Sequence, residues 1–389
     1  MAKVGTMADI DDLIEPLITF RRDLHSHPEL GFAEHRTSAQ IEQALRAIGL
    51  DVHAGIGGTG IVGVLRSGGS DRSIGLRADM DALPIQEQTD LPYASRTPGV
   101  FHGCGHDGHV AMLLGAARHL ARTRRFDGTV YFIFQPAEEG LGGARAMIAD
   151  GLFERCPADQ VYALHNWPDL PAGTAMTRPG PIMAAADRFE ICLHGRGSHA
   201  AIPHQTPDAI LAASDLVTQL NTIIARRIPP TSSAVLSVTQ IAGGHAHNVL
   251  PPSVTVGGTV RSFDPEVQDR IEQALRQITD GIALASGTRA TVKYDRYYPA
   301  TINDPDAANE ALAAATCVCR HAAMAPDPAF TSEDFAFMLQ AKKGAYLWLG
   351  QRRDGETVPL HHPRYDFNDD IIATGLQWHV ALAERLLAA

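Results

Sequence analysis

The sequence predicts an α/β protein whose mostly parallel central sheet is covered by helices on both faces and is interrupted by an inserted α+β domain. Three observations carry this prediction. Apolar runs that read as strands alternate with amphipathic helical stretches through 1–185. Several of those strands deliver Asp, Glu or His to their carboxyl ends, the edge at which open α/β sheets bind ligands. From 186 to 298 the order changes to β-α-β-β-α-β, the split unit of a ferredoxin-like domain, and 299–389 resumes the first pattern.

Element by element, apolar residues at helical spacing (Ile10, Leu13, Ile14, Leu17, Ile18) give a helix over 10–24 that runs out at His25-Ser26-His27-Pro28. A second helix is expected over 37–48, with Thr37 or Ser38 as cap and Gly49 as the stop. Strands follow over 51–65 and 72–76, divided by Gly68-Gly69. The second of these runs into Asp79 and Asp81. A helix over 106–122 is led in by Gly103-Cys104-Gly105-His106-Asp107-Gly108-His109. A buried strand over 129–134 delivers Gln135-Pro136-Ala137-Glu138-Glu139, and another over 161–164 delivers His165.

In the inserted stretch, strands are expected over 188–193, 234–241, 253–262 and 290–297, with helices over 207–224 and 265–285. Its sheet is antiparallel and offers edge strands for pairing with another copy. The resumed part contributes a helix over 306–319, a capped helix start at Thr331-Ser332-Glu333-Asp334-Phe335, a strand over 345–349, the loop Leu360-His361-His362-Pro363, and a final helix over 369–387.

Composition bounds the function. At 389 residues, 45% hydrophobic and 20% charged, the chain is long enough for more than one core. Asp+Glu at 44 against Lys+Arg at 33, a formal charge of -11, argues against nucleic-acid and anionic-membrane partners and in favour of a small-molecule substrate. The first residues meet Asp9, Asp11 and Asp12 before any apolar run, unlike a signal peptide, and no stretch approaches the roughly 20 apolar residues of a membrane span. Five irregularly spaced cysteines disfavour a disulfide framework. A cytoplasmic protein is expected.

The chemistry lies in a combination. A lone histidine among 18 is ordinarily a surface or core residue. Cys104, His106, Glu138-Glu139, His165 and His361, however, each sit beside an apolar strand or at a helix start. Two divalent ions need several anionic or imidazole ligands, a bridging group, and open positions for water and substrate. Adjacent glutamates in a loop can diverge, one binding metal while the other serves as base.

The series His27-Pro28-Glu29, Arg77-Ala78-Asp79-Met80-Asp81-Ala82-Leu83-Pro84, Cys104-Gly105-His106-Asp107-Gly108-His109, Gln135-Pro136-Ala137-Glu138-Glu139 and Gly195-Arg196-Gly197-Ser198-His199-Ala200 resembles one branch of the aminoacylase-like di-metal peptidases, that of hippurate hydrolases and auxin-conjugate amidohydrolases. Asn248-Val249-Leu250-Pro251, Gly258-Thr259-Val260-Arg261 and Ser332-Glu333-Asp334-Phe335 continue the resemblance in collinear order. It implies that Cys104, His106, Glu139, His165 and His361 hold two divalent ions (zinc, manganese, nickel or cobalt), with Glu138 as general base. It implies further that the inserted domain is a lid and dimerisation domain giving a homodimer or tetramer. There His199 would steady the oxyanion in the partner subunit's site and Asn248 would contact substrate. Arg261 would meet a substrate carboxylate or serve as an internal ion-pair partner, and Asp79 would orient a ligand from behind. The sequence departs from the wider family at Arg77, where a metal-binding histidine is usual, and at His362, which offers a second candidate beside His361.

The implied reaction is hydrolysis of the amide of an N-acyl amino acid. Glu138 takes the proton of a metal-activated water, the hydroxide attacks the acyl carbonyl, and Glu138 returns the proton to the leaving nitrogen. The alternatives are a dipeptidase or carboxypeptidase on the same scaffold, a non-catalytic acyl-amino-acid binder, and a cysteine amidase with Cys104 as nucleophile and His106 or His109 as base.

Overall fold

The computed structural model describes residues 10–355 and 357–388, so the residues before Ile10, Asp9 among them, lie outside the described residues. In chain order the elements are α1 (Asp11–Ser26), α2 (His35–Ala47), β1 (Asp51–Ile56), β2 (Gly60–Ser67), β3 (Ser73–Asp79), α3 (His106–Thr123), β4 (Gly128–Gln135), α4 (Gly143–Ala149), α5 (Leu152–Arg155), β5 (Gln160–Pro171), β6 (Thr174–Thr177) and β7 (Gly180–Met183). Next come β8 (Ala185–His194), β9 (Ser198–His199), α6 (Ala209–Leu220), α7 (Thr222–Arg227), β10 (Ala234–Ala242), β11 (Val249–Leu250), β12 (Ser253–Ser262), α8 (Pro265–Ser286) and β13 (Arg289–Tyr298). The chain closes with β14 (Thr301–Asn303), α9 (Pro305–Val318), β15 (His321–Met324), α10 (Phe335–Ala341), β16 (Lys343–Arg352) and α11 (Ile372–Leu386). No helix among the described residues is long and apolar enough to cross a membrane. Two compact units emerge, one built from the described parts of 1–182, 302–327 and 334–389, the other from 183–301 and 328–333.

The first unit is organised on an eight-stranded sheet of order β1-β2-β4-β3-β5-β16-β6-β15. It is mixed, with parallel pairings at its centre and between β6 and β15, and antiparallel ones toward the β1 edge. The central strands β4, β3, β5 and β16 are parallel neighbours, while β1 with β2, β2 with β4 and β16 with β6 are antiparallel. The cause is local. The expected single strand over 51–65 turns back at Gly57 and Gly58, whose φ values of 65° and 105° only glycine adopts readily, so two strands form a hairpin in its place.

Against the sheet, α3 buries Val110, Met112, Leu113, Leu114, Ala116 and Ala117 in a core shared with α1, α9 and α11. Glycines set how closely these helices approach. A Cβ on Gly115 would stand 2.5 Å from Leu376 and 2.6 Å from Leu17, and one on Gly375 would stand 2.2 Å from the Met112 sulfur. The helix expected from 37 begins two residues earlier, because the Glu29 carboxylate accepts from the Arg36 and Thr37 amides at 2.9 and 2.8 Å. An anion at a helix N-terminus satisfies donors that have no partner within the helix, and so replaces the Thr37 or Ser38 cap.

The second unit carries a four-stranded antiparallel sheet of order β10-β12-β8-β13. Ile191, Leu193 and Val256 of its strands pack with Leu216 and Leu220 of α6 and with Ile271 and Leu275 of α8. Asp208 and Asp264 cap α6 and α8, and Pro265 opens α8 where a missing N–H costs nothing. The helix expected over 207–224 breaks at Asn221, whose side chain donates to the Val217 carbonyl at 2.7 Å.

Candidate metal centre

Within the first unit, three backbone features bring the chemistry together at the carboxyl ends of the parallel strands. Gly105 has φ 89°, and a Cβ there would lie 2.5 Å from Asn166 Oδ1 and 2.7 Å from the Tyr365 hydroxyl, so only glycine lets the Cys104 loop enter α3 with His106 at its first position. His361 is itself left-handed at φ 64°, and its amide donates to the Gly103 carbonyl at 2.8 Å. Ala137 is left-handed at φ 55°, its amide held by Glu34 Oε1 at 2.8 Å and its carbonyl by the Gly143 amide at 3.0 Å. Strain of this kind persists only where the surroundings enforce it. Here it turns Glu138 and Glu139 out of the strand direction.

The side chains converge. The Cys104 thiol donates to His165 Nε2 at 3.4 Å, and Glu139 Oε1 lies 3.2 Å from His361 Nε2 and 3.9 Å from His106 Nε2. Ligand atoms of Cys104, Glu139 and His361 fall within 4.8 Å of one another, as do those of His106, Glu138 and Glu139. Glu139 belongs to both triads. A third buried group, Asp79, His106, His109 and His165, lies alongside.

Hydrogen bonds fix which atoms face the centre. His106 Nδ1 donates to the Asp81 carbonyl at 3.0 Å and to its carboxylate at 3.2 Å, so Nε2 is the nitrogen that faces the centre. Asp81 also accepts from the Glu139 amide at 2.8 Å, so one carboxylate orients two candidate ligands. His165 Nδ1 donates to the Asn166 carbonyl at 2.7 Å. His109 is engaged at both nitrogens, 2.6 Å from Asp79 Oδ1 and 2.6 Å from Asn166 Oδ1, which makes it a strut. Among the described residues, His106 Nε2 and Glu139 Oε1 make no hydrogen bond, although Glu139 Oε1 lies in ion-pair range of His361 Nε2.

The electrostatics describe a centre short of positive charge. Burial, reinforced by Glu139, Glu138 and Asp79, holds the Cys104 thiol well above its ordinary pKa. Burial disfavours a charged His106, yet Asp79, Asp81 and Glu139 outweigh it and raise the imidazolium pKa to about 10. His165 is pushed well below the usual range by burial and then by His109. Against its own burial, Asp79 is held well below the carboxylate range by His106, Arg77 and His109. Without ions, the surrounding carboxylates thus favour the protonated forms of Cys104 and His106. The orphaned Nε2 and Oε1 atoms, with a thiolate, imidazole and carboxylate donor set, fit divalent transition ions.

Of the residues singled out in the sequence, Cys104, His106, Glu138, Glu139, His165 and His361 come together here, with Asp79 beneath them, 3.7 Å from His106 Nε2 and 2.7 Å from Arg77. His362 turns to its own loop, where its Nδ1 accepts from the Arg364 amide at 3.1 Å. His199, Asn248 and Arg261 belong to the second unit. There His199 is exposed and lies on β9, paired with Val249 of β11 next to Asn248. Arg261 donates to Thr259 Oγ1 and to the Val260 carbonyl, and among the described residues no carboxylate forms an ion pair with it. Sequence reasoning missed the working roles of Asp81, His109 and Asn166. The strand-end position of Asp81 was the available signal.

A family model for peptidase family M20/M25/M40 matches residues 75–385. The hippurate hydrolase of Campylobacter jejuni is 40% identical over 391 residues, covering 99% of this chain and 100% of its own. The N-acetylcysteine deacetylase of Bacillus subtilis is 38% identical over 376 residues, covering 95% of this chain and 97% of its own. Among solved structures, a dinuclear metal binding peptidase of Bacillus subtilis from the M20 family matches with a TM-score of 0.85 at 34% identity, covering 97% of this chain and 99% of that one. The chain belongs to peptidase family M20/M25/M40 and is a hydrolase of that family.

Proposed function

We propose that the protein is a di-metal amidohydrolase that cleaves the amide bond of N-acyl amino acids of the hippurate, N-acetyl or aryl-acyl kind. The observation that carries this reading is the convergence of Cys104, Glu139 and His361, and of His106, Glu138 and Glu139, into two groups of ligand atoms that share Glu139, a donor set that would hold two ions. Cys104, His106, Glu139, His165 and His361 would hold the ions, with zinc, manganese, nickel and cobalt all compatible with the donor set. When bound, the ions supply Lewis-acid polarisation of a carbonyl and a water of lowered pKa.

The chain's own residues do the rest. Glu138, 8% exposed and beside Glu139, takes the proton of the attacking water and delivers it to the leaving nitrogen. Asp81 keeps the His106 tautomer and the Glu139 backbone in place, and His109 ties Asp79 to Asn166. His199 is assigned to the developing oxyanion and Asn248 to substrate contact; their exposure and adjacency on one short ribbon support the pairing. Arg261, half-buried and outside any ion pair among the described residues, suits a substrate carboxylate. Homodimerisation through the second unit is supported by its open edge strands β10 and β13 and by exposed Leu211, Val235 and Ile241. A cytoplasmic location rests on the cysteine pattern.

The test is turnover of N-acetyl, N-benzoyl and indole-acyl amino acids by protein loaded with each metal in turn, beside elemental analysis. Metal-dependent release of the amino acid with about two ions per chain is expected. Activity that survives chelation would transfer the chemistry to the Cys104 thiol.

A further inference from the structure

Two features of the sequence lie outside the proposed ligand set: Arg77 near the end of β3, and the Ser332-Glu333-Asp334-Phe335 stretch before α10. The first unit joins Arg77 to Asp334. Arg77 is 1% exposed and uses each edge of its guanidinium on a different partner. Nε donates to Gln135 Oε1 at 2.8 Å, Nη1 to Asp79 Oδ2 at 2.7 Å, and Nη2 to Asp334 Oδ1 at 3.1 Å. Asp334 is fully buried and accepts two further bonds, from Gln135 Nε2 at 2.7 Å and from the Ala144 amide at 2.9 Å.

These contacts bracket the turn that carries the glutamate pair. Gln135 immediately precedes the turn, and Ala144 lies just past its closing bond from the Gly143 amide to the Ala137 carbonyl. With its carboxylate held from both sides, Asp334 makes no side-chain cap on α10, although it occupies the cap position. Its own amide instead donates to Glu138 Oε1 at 3.3 Å. One residue therefore grips both ends of the turn and touches the carboxylate in its middle.

We infer that Arg77 and Asp334 form a buried clamp that positions the Glu138 carboxylate, and that both are positioning residues for the amide hydrolysis proposed above, on which the inference rests. A planar guanidinium can address Gln135, Asp79 and Asp334 at once, whereas an ammonium cannot. A supporting shell of this kind holds a reacting group to the fraction of an ångström that its chemistry requires.

The experiment compares Arg77→Lys, Asp334→Asn and Gln135→Met with the unaltered protein in steady-state kinetics, metal content and crystal structure. Arg77→Lys keeps the charge and removes the fork, Asp334→Asn keeps the shape and removes the charge, and Gln135→Met tests the clamp without altering any charge if the other two fail to fold. A fall in kcat of about 10- to 100-fold is expected, with KM and metal content unchanged and the Glu138 carboxylate displaced from the Asp334 amide. An unchanged kcat, a Glu138 carboxylate still in place in the variant crystals, or activity restored by added metal would each overturn the clamp. Failure of the unaltered protein to hydrolyse any N-acyl amino acid would instead retire the amidohydrolase reading, and the variant crystals would still decide whether the pair positions Glu138.

Discussion

His106 and Asp107 are consecutive residues that open α3, yet they face two buried polar networks of opposite character. On the Asp107 side the chain supplies its own cations. Arg21 lies 3.2 Å from Asp107 and 2.9 Å from Asp369, and His25 lies 2.9 Å from Asp107 and 3.3 Å from Glu87. Arg21 and Arg22 also stack over Tyr93, each 4.6 Å from the ring centroid. On the His106 side, Asp79, Asp81, Glu138 and Glu139 gather around a thiol and imidazoles, and orphaned ligand atoms remain. The difference teaches how a structural ion network is told from a metal centre. Both are buried, rich in carboxylates and left with unsatisfied atoms, Asp107 Oδ1 on one side and His106 Nε2 on the other, but among the described residues only the His106 side gathers thiol, imidazole and carboxylate atoms within 4.8 Å of one another.

The largest expected effect comes from the side left open. Glu138→Gln should lower kcat by about 10³-fold while metal content stays near that of the unaltered protein. Loss of metal in that variant would show that Glu138 and Glu139 have exchanged roles. His361→Ala should cost about 10- to 100-fold in affinity for one ion, read by competition with a chelator, whereas His362→Ala should leave affinity unchanged. The reverse result would move the ligand to His362.

The closed side answers in stability. Asp107→Asn leaves Arg21 and His25 without their shared anion and should cost about 3–5 kcal/mol in denaturant unfolding, far more than an exposed pair would. If the cost is near zero, the network is not the charge-paired structure described here.

The two sides should also respond to pH in opposite directions. His25 is raised from 6.5 to about 9, since its bonds to Asp107 and Glu87 overcome burial. A raised imidazolium contributes stability that is fully present below pH 6.5 and is lost as pH rises through about 9. That contribution is roughly 3 kcal/mol, and His25→Phe should abolish its pH dependence. As the proposed ligands, Cys104 and His106 would instead lose protons when an ion binds, so metal affinity should climb over the same range, with proton release measurable by calorimetry in buffers of different ionisation enthalpy. Parallel trends in stability and metal affinity would break the contrast.

Much of the centre was legible in the sequence because its parts are local. An apolar run followed by Gln-Pro and two glutamates, or by His165, reads as a strand delivering ligands to a sheet edge, and the first unit places both there. What could not be read depends on partners distant in the chain. Nothing near Arg77 announces Asp334, and nothing near His109 announces Asn166, because each pairing forms only when separate elements pack. The Glu29 cap on α2 escaped for a different reason, since its carboxylate reaches the Arg36 and Thr37 amides from outside the cap position. The Gly57-Gly58 hairpin escaped because two glycines in an apolar run read equally well as a flexible strand.

The bond from the His361 amide to the Gly103 carbonyl joins segments separated by most of the chain, with the whole second unit translated in between. A ribosome-bound chain that has emerged only past β5 therefore already contains Cys104, His106, Glu138, Glu139 and His165 but lacks His361, the last member of the proposed ligand set. On the proposed ligand set, full metal capture becomes a late event of biosynthesis, and a chain truncated before residue 361 lacks one of the five ligands.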